Sequence, residues 1–99
     1  DIMNKFELPP IGDGAKSFWK KAYIIERDDG VIELQSYNTI VCRFVDDENK
    51  AWFHGMARKR FERLWAGYSA TTMRHINAFL RYYGVEGGGK AWWLSRRAV

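Results

Sequence analysis

The sequence predicts an α+β domain: a three- to four-stranded antiparallel sheet with one amphipathic helix, over about residues 70–83, packed on one face. Three observations point there. Residues 18–45 hold three short runs rich in aromatic and β-branched side chains, separated by turn residues. Residues 69–83 repeat apolar side chains at spacings of three and four. Ninety-nine residues, 46% apolar and 16% aromatic, suffice for one core and exclude a disordered chain, which lacks the rings to bury.

Residues 1–17 contain Pro9, Pro10, Gly12 and Gly14. Tandem prolines favour extended backbone and remove two donors, so this segment reads as an N-terminal arm outside the single domain of residues 18–99. Ile2, Met3, Phe6 and Leu8 are placed to pin it down. The run from Phe18 to Arg27 reads as a first strand, and Asp28-Asp29-Gly30 as a hairpin turn, because glycine accepts the positive φ that such turns need. Val31–Gln35 is the return strand. Ser36-Tyr37-Asn38 punctuates the chain before a third strand, Thr39–Val45, in which Ile40, Cys42 and Phe44 share one face and Val41, Arg43 and Val45 the other, less buried one. Residues 50–66 fit two readings. Ala57, Phe61, Leu64 and Trp65 match a helical face, and a turn followed by a strand over 59–66 fits as well.

The helix has the clearest signal. Met73, Ile76, Leu80 and Tyr83 align on one stripe with Phe79 beside them. Ser69 or Thr71 can cap its start, and Gly84 suits the left-handed residue past its end. Glu86-Gly87-Gly88-Gly89 reads as a flexible link to a last short strand or docked tail at Lys90–Leu94.

The formal net charge of +4 hides an asymmetry of −4 over residues 1–49 and +8 over residues 50–99. The densest basic cluster is Arg58, Lys59, Arg60 and Arg63, followed by Arg74, Arg81, Lys90, Arg96 and Arg97. Such a half attracts a polyanion or an acidic protein surface through its summed field. No apolar run approaches the roughly 20 residues that span a bilayer. The single cysteine, Cys42, excludes a disulfide framework and a cysteine-based zinc site. No basic-then-apolar leader follows Asp1, so the expectation is a reducing, cytoplasmic setting without a membrane partner.

Candidate chemistry is sparse. His54 and His75 are the only histidines, and Thr71 and Thr72 lie three to four residues from His75, as a nucleophile and its base require. No carboxylate in the segment orients the ring, so a capping threonine beside a packed histidine explains it better. Cys42, mid-strand among Val41, Phe44 and Val45, reads as an inert core thiol. No pair of ligands has metal spacing, and the three glycines at 87–89 lack the strand, the Lys-Ser/Thr pair and the helix of a phosphate loop. No cofactor or metal and no enzymatic activity are expected. The aromatic inventory says more. Trp19, Trp52, Trp65, Trp92 and Trp93, with five tyrosines and six phenylalanines, exceed what one small sheet and one helix readily hide. Adjacent Trp92 and Trp93 would face opposite ways in a strand, leaving one outside.

Together these words resemble a family of small proteins of unknown function carried by bacteriophages and other mobile elements. The resemblance rests on Ser17-Phe18-Trp19-Lys20-Lys21-Ala22-Tyr23, Ser36-Tyr37-Asn38-Thr39, Gly67-Tyr68-Ser69-Ala70-Thr71-Thr72, Arg74-His75-Ile76-Asn77 with Phe79-Leu80, and Gly87-Gly88-Gly89-Lys90-Ala91-Trp92-Trp93. It spans most of the chain from Ser17 and departs around Met56–Arg60, which is longer and more basic. It implies a strand leading into Gly67-Tyr68, and a protein acting inside a bacterial host, and it supplies no catalytic residues.

The function expected is therefore a non-catalytic accessory protein that binds a host protein or nucleoprotein complex, inhibiting a host defence system as anti-CRISPR proteins do. The residues expected to carry binding are Arg58, Lys59, Arg60, Arg63, Trp92 and Trp93, supported by Arg96 and Arg97, since tryptophan and arginine dominate hot spots. The alternative is direct DNA or RNA binding by the same basic-aromatic surface. An exposed edge strand also offers a route to a homodimer.

Overall fold

In the computed structural model, which describes residues 1–99, five strands precede two helices: β1 (Ile2–Glu7), β2 (Ala22–Arg27), β3 (Ile32–Ser36), β4 (Thr39–Asp46), β5 (Lys59–Arg63), α1 (Ala70–Tyr82) and α2 (Lys90–Leu94). The strands form one antiparallel sheet in chain order, a meander. Five strands stand where three to four were expected. The fourth, β5, settles the two readings of residues 50–66 in favour of a strand. The fifth, β1, comes from the segment read as an arm and pairs Phe6 with Ile24 at the sheet edge. Tandem Pro9-Pro10 ends it, and Leu8 behind it is buried.

Each turn follows from its residues. The β2–β3 hairpin closes with Gly30 at φ +88° and its N–H donating to the Arg27 carbonyl at 3.1 Å. In β4 the register slips, so that Leu34 faces Cys42 while Gln35 faces Ile40, which leaves Val41 as the extra residue of a bulge. Strict alternation put Val41 on the less buried face. The bulge instead turns it into the core, and its carbonyl accepts from the N–H groups of Leu64 and Trp65.

One face of the sheet is covered by α1. Ser69 Oγ accepts from the Thr72 N–H at 3.1 Å, capping the helix start. At its end Gly84 takes φ +72°, the Gly84 N–H donates to the Arg81 carbonyl and the Val85 N–H to the Leu80 carbonyl. That pair of bonds is a Schellman motif and satisfies two orphan carbonyls. The helix lays Met73, Ile76, Phe79 and Leu80 on Ile24, Leu34, Cys42 and Phe44. Each fully buried side chain of this size contributes about 1.5–3 kcal/mol. Phe44 is the hub, stacked on Phe79 at 5.3 Å and edge-on to Phe61 and Tyr83.

The opposite face carries no helix. It is roofed by ion pairs across the strands, Arg27 to Glu33 at 2.7 Å and Arg43 to Glu62 at 2.8 Å, beneath which Ile25 is buried. Lys90–Leu94, expected as a strand or docked tail, forms the single turn and a half of α2. Helical geometry lets Trp93 point inward while Trp92 lies half-buried beside it. No helix is long and apolar enough to cross a membrane.

Candidate functional site

The residues singled out in the basic half fall into two groups. Arg60, Arg63, Arg96 and Arg97 converge on one hollow of about 530 Å³, because the chain after α2 returns to pair Ala98 with Arg63. Within it two exposed guanidinium groups lack an acidic partner. Arg96 stacks over the Trp92 ring at 4.4 Å and over Phe61 at 5.5 Å, and Arg97 is exposed. Arg60 is held by Glu62 at 3.3 Å and Asp47 at 3.8 Å. Burial pushes the Glu62 carboxyl up, but Arg43 and Arg60 together hold it below its usual range.

The rest serve the fold. Arg63 is buried and donates to the carbonyls of Trp65 at 3.0 Å, Arg96 at 2.8 Å, Ala66 at 2.5 Å and Gly67 at 3.3 Å. Trp93 is wholly buried and donates its indole N–H to the Gly67 carbonyl at 2.7 Å. Lys59 Nζ bonds the Gly30 carbonyl at 2.6 Å and Asp46 at 2.7 Å, which holds the Asp46 carboxyl below its usual range. Arg58 is half-buried, and its Nε is buried without a partner. The dense cluster at 58–63 therefore spends most of its charge inside the molecule.

The surface is aromatic elsewhere. The connection between β4 and β5, residues 47–58, is built of two short 3-10 turns and carries Trp52, 92% exposed, beside Phe53, 54% exposed. Asp47 starts it by accepting from the Asn49 N–H at 3.0 Å. Its composition, two large rings between a charged turn and His54-Gly55, gives no apolar period that would fold it onto the core.

A second aromatic site lies at the other end of the sheet. Phe18–Lys21 is a tight turn closed by the Lys21 N–H on the Phe18 carbonyl at 3.0 Å. Its two central residues, Trp19 and Lys20, both take left-handed backbone, at φ +54° and +60°. That is the type I′ pattern, normally occupied by Asn or Gly. Non-glycine residues held so cost about 1–3 kcal/mol each, and such strain concentrates where a side chain must be presented. Trp19 is 77% exposed. Tyr37, at φ +55° in the β3–β4 turn, is exposed beside it, and its N–H donates to the Lys21 carbonyl at 2.6 Å, tying the two turns together.

Below them lies His75, buried, edge-on to Phe18 at 4.7 Å. Its Nδ1 is 2.8 Å from Ser36 Oγ, which is 3.1 Å from Thr72 Oγ1. Of the two threonines weighed as partners of His75, Thr72 joins its network and Thr71 does not. Ser36 is 2% exposed, and no carboxylate hydrogen-bonds the ring, so the pair has neither an accessible nucleophile nor an orienting acid. Burial, reinforced by Arg74 and Lys21 against the opposing Asp13, pushes the His75 pKa down. Asp13 grips Arg74 with both oxygens, at 2.6 and 2.9 Å, which holds its carboxyl far below the usual range. Cys42 is buried at the sheet centre, and burial alone drives its thiol pKa well up, the state of an inert core thiol.

Sequence reasoning missed Trp19, Lys20, Lys21, Tyr37 and the Trp52-Phe53 pair as surface residues. The one usable signal was the spacing of Lys16, Lys20 and Lys21 around Trp19, which placed a ring among like charges.

Fold and surface together define a small α+β protein with an open antiparallel meander, one helix across one face and indoles left outside at both ends. The chain belongs to a family of unknown function (DUF8033), whose model matches residues 6–95. No curated protein and no solved structure matches it.

Proposed function

We propose that this is a non-catalytic binding protein that engages a partner protein through the β4–β5 loop. The observation that carries the reading is Trp52, 92% exposed with Phe53 next to it, on a loop that sends only Met56 to the core. Monomeric proteins rarely leave such rings in water without use, and tryptophan anchors interface hot spots. The resemblance of residues 17–93 to phage and mobile-element proteins supports a partner in the bacterial cytoplasm, a host defence complex being the fitting class. The internal pairing of Lys59, Arg60 and Arg63 supports a protein partner over a polyanion, because these charges are already satisfied.

Affinity capture from a bacterial host lysate, with and without nuclease, tests this. The expected result is a nuclease-resistant partner retained by the native chain and lost with the double variant Trp52→Ala, Phe53→Ala. Capture that is unchanged in that variant overturns the reading.

A second reading rests on Arg96 and Arg97, the two exposed cations of the hollow without an acidic partner, beside the Trp92 ring. It is direct DNA or RNA binding there. Phosphate contacts make affinity fall steeply and linearly with salt on logarithmic axes. Absence of binding to mixed-sequence DNA and RNA at low salt removes it.

A further inference from the structure

The hollow between the Phe18–Lys21 turn and the β3–β4 turn has a different character from the loop and from the Arg96 hollow. It measures about 280 Å³, and its lining includes Trp19, Lys21, Tyr37, Thr71 and His75, together with Arg74, which is already paired with Asp13. General small-molecule pockets span about 300–1,000 Å³, so this one suits a single ring system with one small polar group.

Three independent features describe what it would accept. The first is flat apolar surface: Trp19 and Tyr37 both line it, and both are exposed and fixed by left-handed turns tied to each other. The second is positive charge. Lys21 lines the hollow, while Lys16 and Lys20 line the adjoining one that shares Ser17 and Phe18; all three are exposed and none forms an ion pair, in contrast to the paired cations of β5. The third is an unpartnered polar group at the floor. His75 is 1% exposed, its Nδ1 is taken by Ser36, and its Nε2 has no hydrogen-bond partner in the chain. The Nε2 edge of the ring is therefore free to meet a polar group that enters the hollow.

A flat face, one unpaired lysine in the hollow with two more beside it, and a free imidazole nitrogen together match a nucleotide. A carboxylate-bearing aromatic residue of a protein would need one cation and leaves the others unexplained, whereas a phosphodiester strand offers a charge for each. We propose that this hollow is a nucleotide site, in which a nucleobase stacks on Trp19 and Tyr37 with its edge toward His75, and the phosphate meets Lys21. Lys20 and Lys16 extend the positive track along which neighbouring phosphates run. Stacking on aromatic rings between basic groups is how sequence-tolerant single-strand binding is built. The site shares no residue with the β4–β5 loop, so it stands or falls separately from the protein-binding reading.

Titration calorimetry with the full chain tests it, using the four ribonucleoside monophosphates, ten-nucleotide oligo(dT) and oligo(rU), and inorganic phosphate. Binding of nucleotide or oligomer, weakened about tenfold or more by Trp19→Ala and by Lys21→Ala, supports the site. Monophosphate binding identifies free nucleotide as a sufficient source, and binding of the oligomers alone identifies a single strand. Trp19 is mostly in solvent, so Trp19→Ala is expected to keep the native circular dichroism spectrum. The proposal is overturned if no nucleotide or oligomer binds the folded chain, if Trp19→Ala binds as well as the native protein, or if phosphate alone binds equally tightly. Loss of a captured protein on Trp19→Ala, without nucleotide binding, also overturns it and assigns the hollow to a protein.

Discussion

Arg63 and Trp93 meet on a single carbonyl. The guanidinium lies 4.7 Å from the centre of the Trp93 ring, and both side chains donate to the Gly67 oxygen, Trp93 Nε1 at 2.7 Å and Arg63 Nη2 at 3.3 Å. Neither lies on α1, yet together they fasten β5, the loop leading into α1, and the chain after α2. Three further carbonyls complete the set around Arg63, so a buried cation is held here by backbone oxygens with no carboxylate bonded to it. Gly67 fits because a Cβ there would lie 2.6 Å from the Trp65 ring.

Replacing Arg63 tests that junction. Lysine cannot reproduce the planar fork, and methionine leaves the carbonyls of Trp65, Ala66 and Arg96 without this donor. Arg63→Lys is expected to cost about 2 kcal/mol and Arg63→Met about 3 kcal/mol or more, read from urea unfolding midpoints. A variant within 0.5 kcal/mol (roughly the scale of an exposed-surface change) would show the network to be incidental.

The buried imidazole makes stability depend on pH in one direction. Unfolded, His75 titrates near 6.5, and burial lowers that value in the folded protein. Between the two values the unfolded chain binds more protons, so stability is full above about 6.5 and declines as pH falls below it. His75→Gln is expected to flatten the dependence of thermal midpoint on pH between 7 and 5. Asp13 and Asp46, whose carboxyls are held down by Arg74 and Lys59, act on the same curve only at lower pH.

The left-handed turn offers a trade between stability and recognition. Lys20→Gly relieves a φ of +60° and is expected to stabilise the fold by up to about 1 kcal/mol, seen as a higher melting temperature. The same change removes one cation beside Trp19, so nucleotide affinity should fall while stability rises. A protein that loses stability on this substitution would show the lysine side chain to be structural.

The β4–β5 loop should be separable from folding. Trp52→Ala with Phe53→Ala removes two exposed rings and is expected to change unfolding free energy by no more than about 0.5 kcal/mol. Solubility should rise and partner capture should disappear. A large drop in stability would mean that the rings pack in solution.

Much of the architecture was readable from local chemistry. Gly30, Ser69 and Gly84 marked turn, cap and helix end because each answers a backbone need that few residues meet. The stripe from Met73 to Leu80 announced its own buried side. The strand at β1 was hidden because Pro9-Pro10 spoke for the whole segment, although a proline just past a strand only ends it. Val41 was misplaced because a bulge alters the period of two without changing composition. The basic surface was misjudged for a related reason. Charge counts cannot reveal that Lys59, Arg60 and Arg63 find acceptors across β4, the β2–β3 turn and the loop before α1. Trp92-Trp93 turned on a choice between strand and helix over five residues, too short a stretch for any period to show.

The order of the sheet has a kinetic consequence. Every strand of the meander lies beside the one synthesised just before it, so apart from the single Arg63–Ala98 bridge no β pairing waits for a distant part of the chain. Sequence-local pairing of this kind lowers contact order and favours rapid folding. A ribosome delivering the chain would release the hairpins one after another, then the covering helix, and after it the indole that seats under Arg63. Until residues 90–94 emerge, the carbonyl of Gly67 lacks its shorter hydrogen bond.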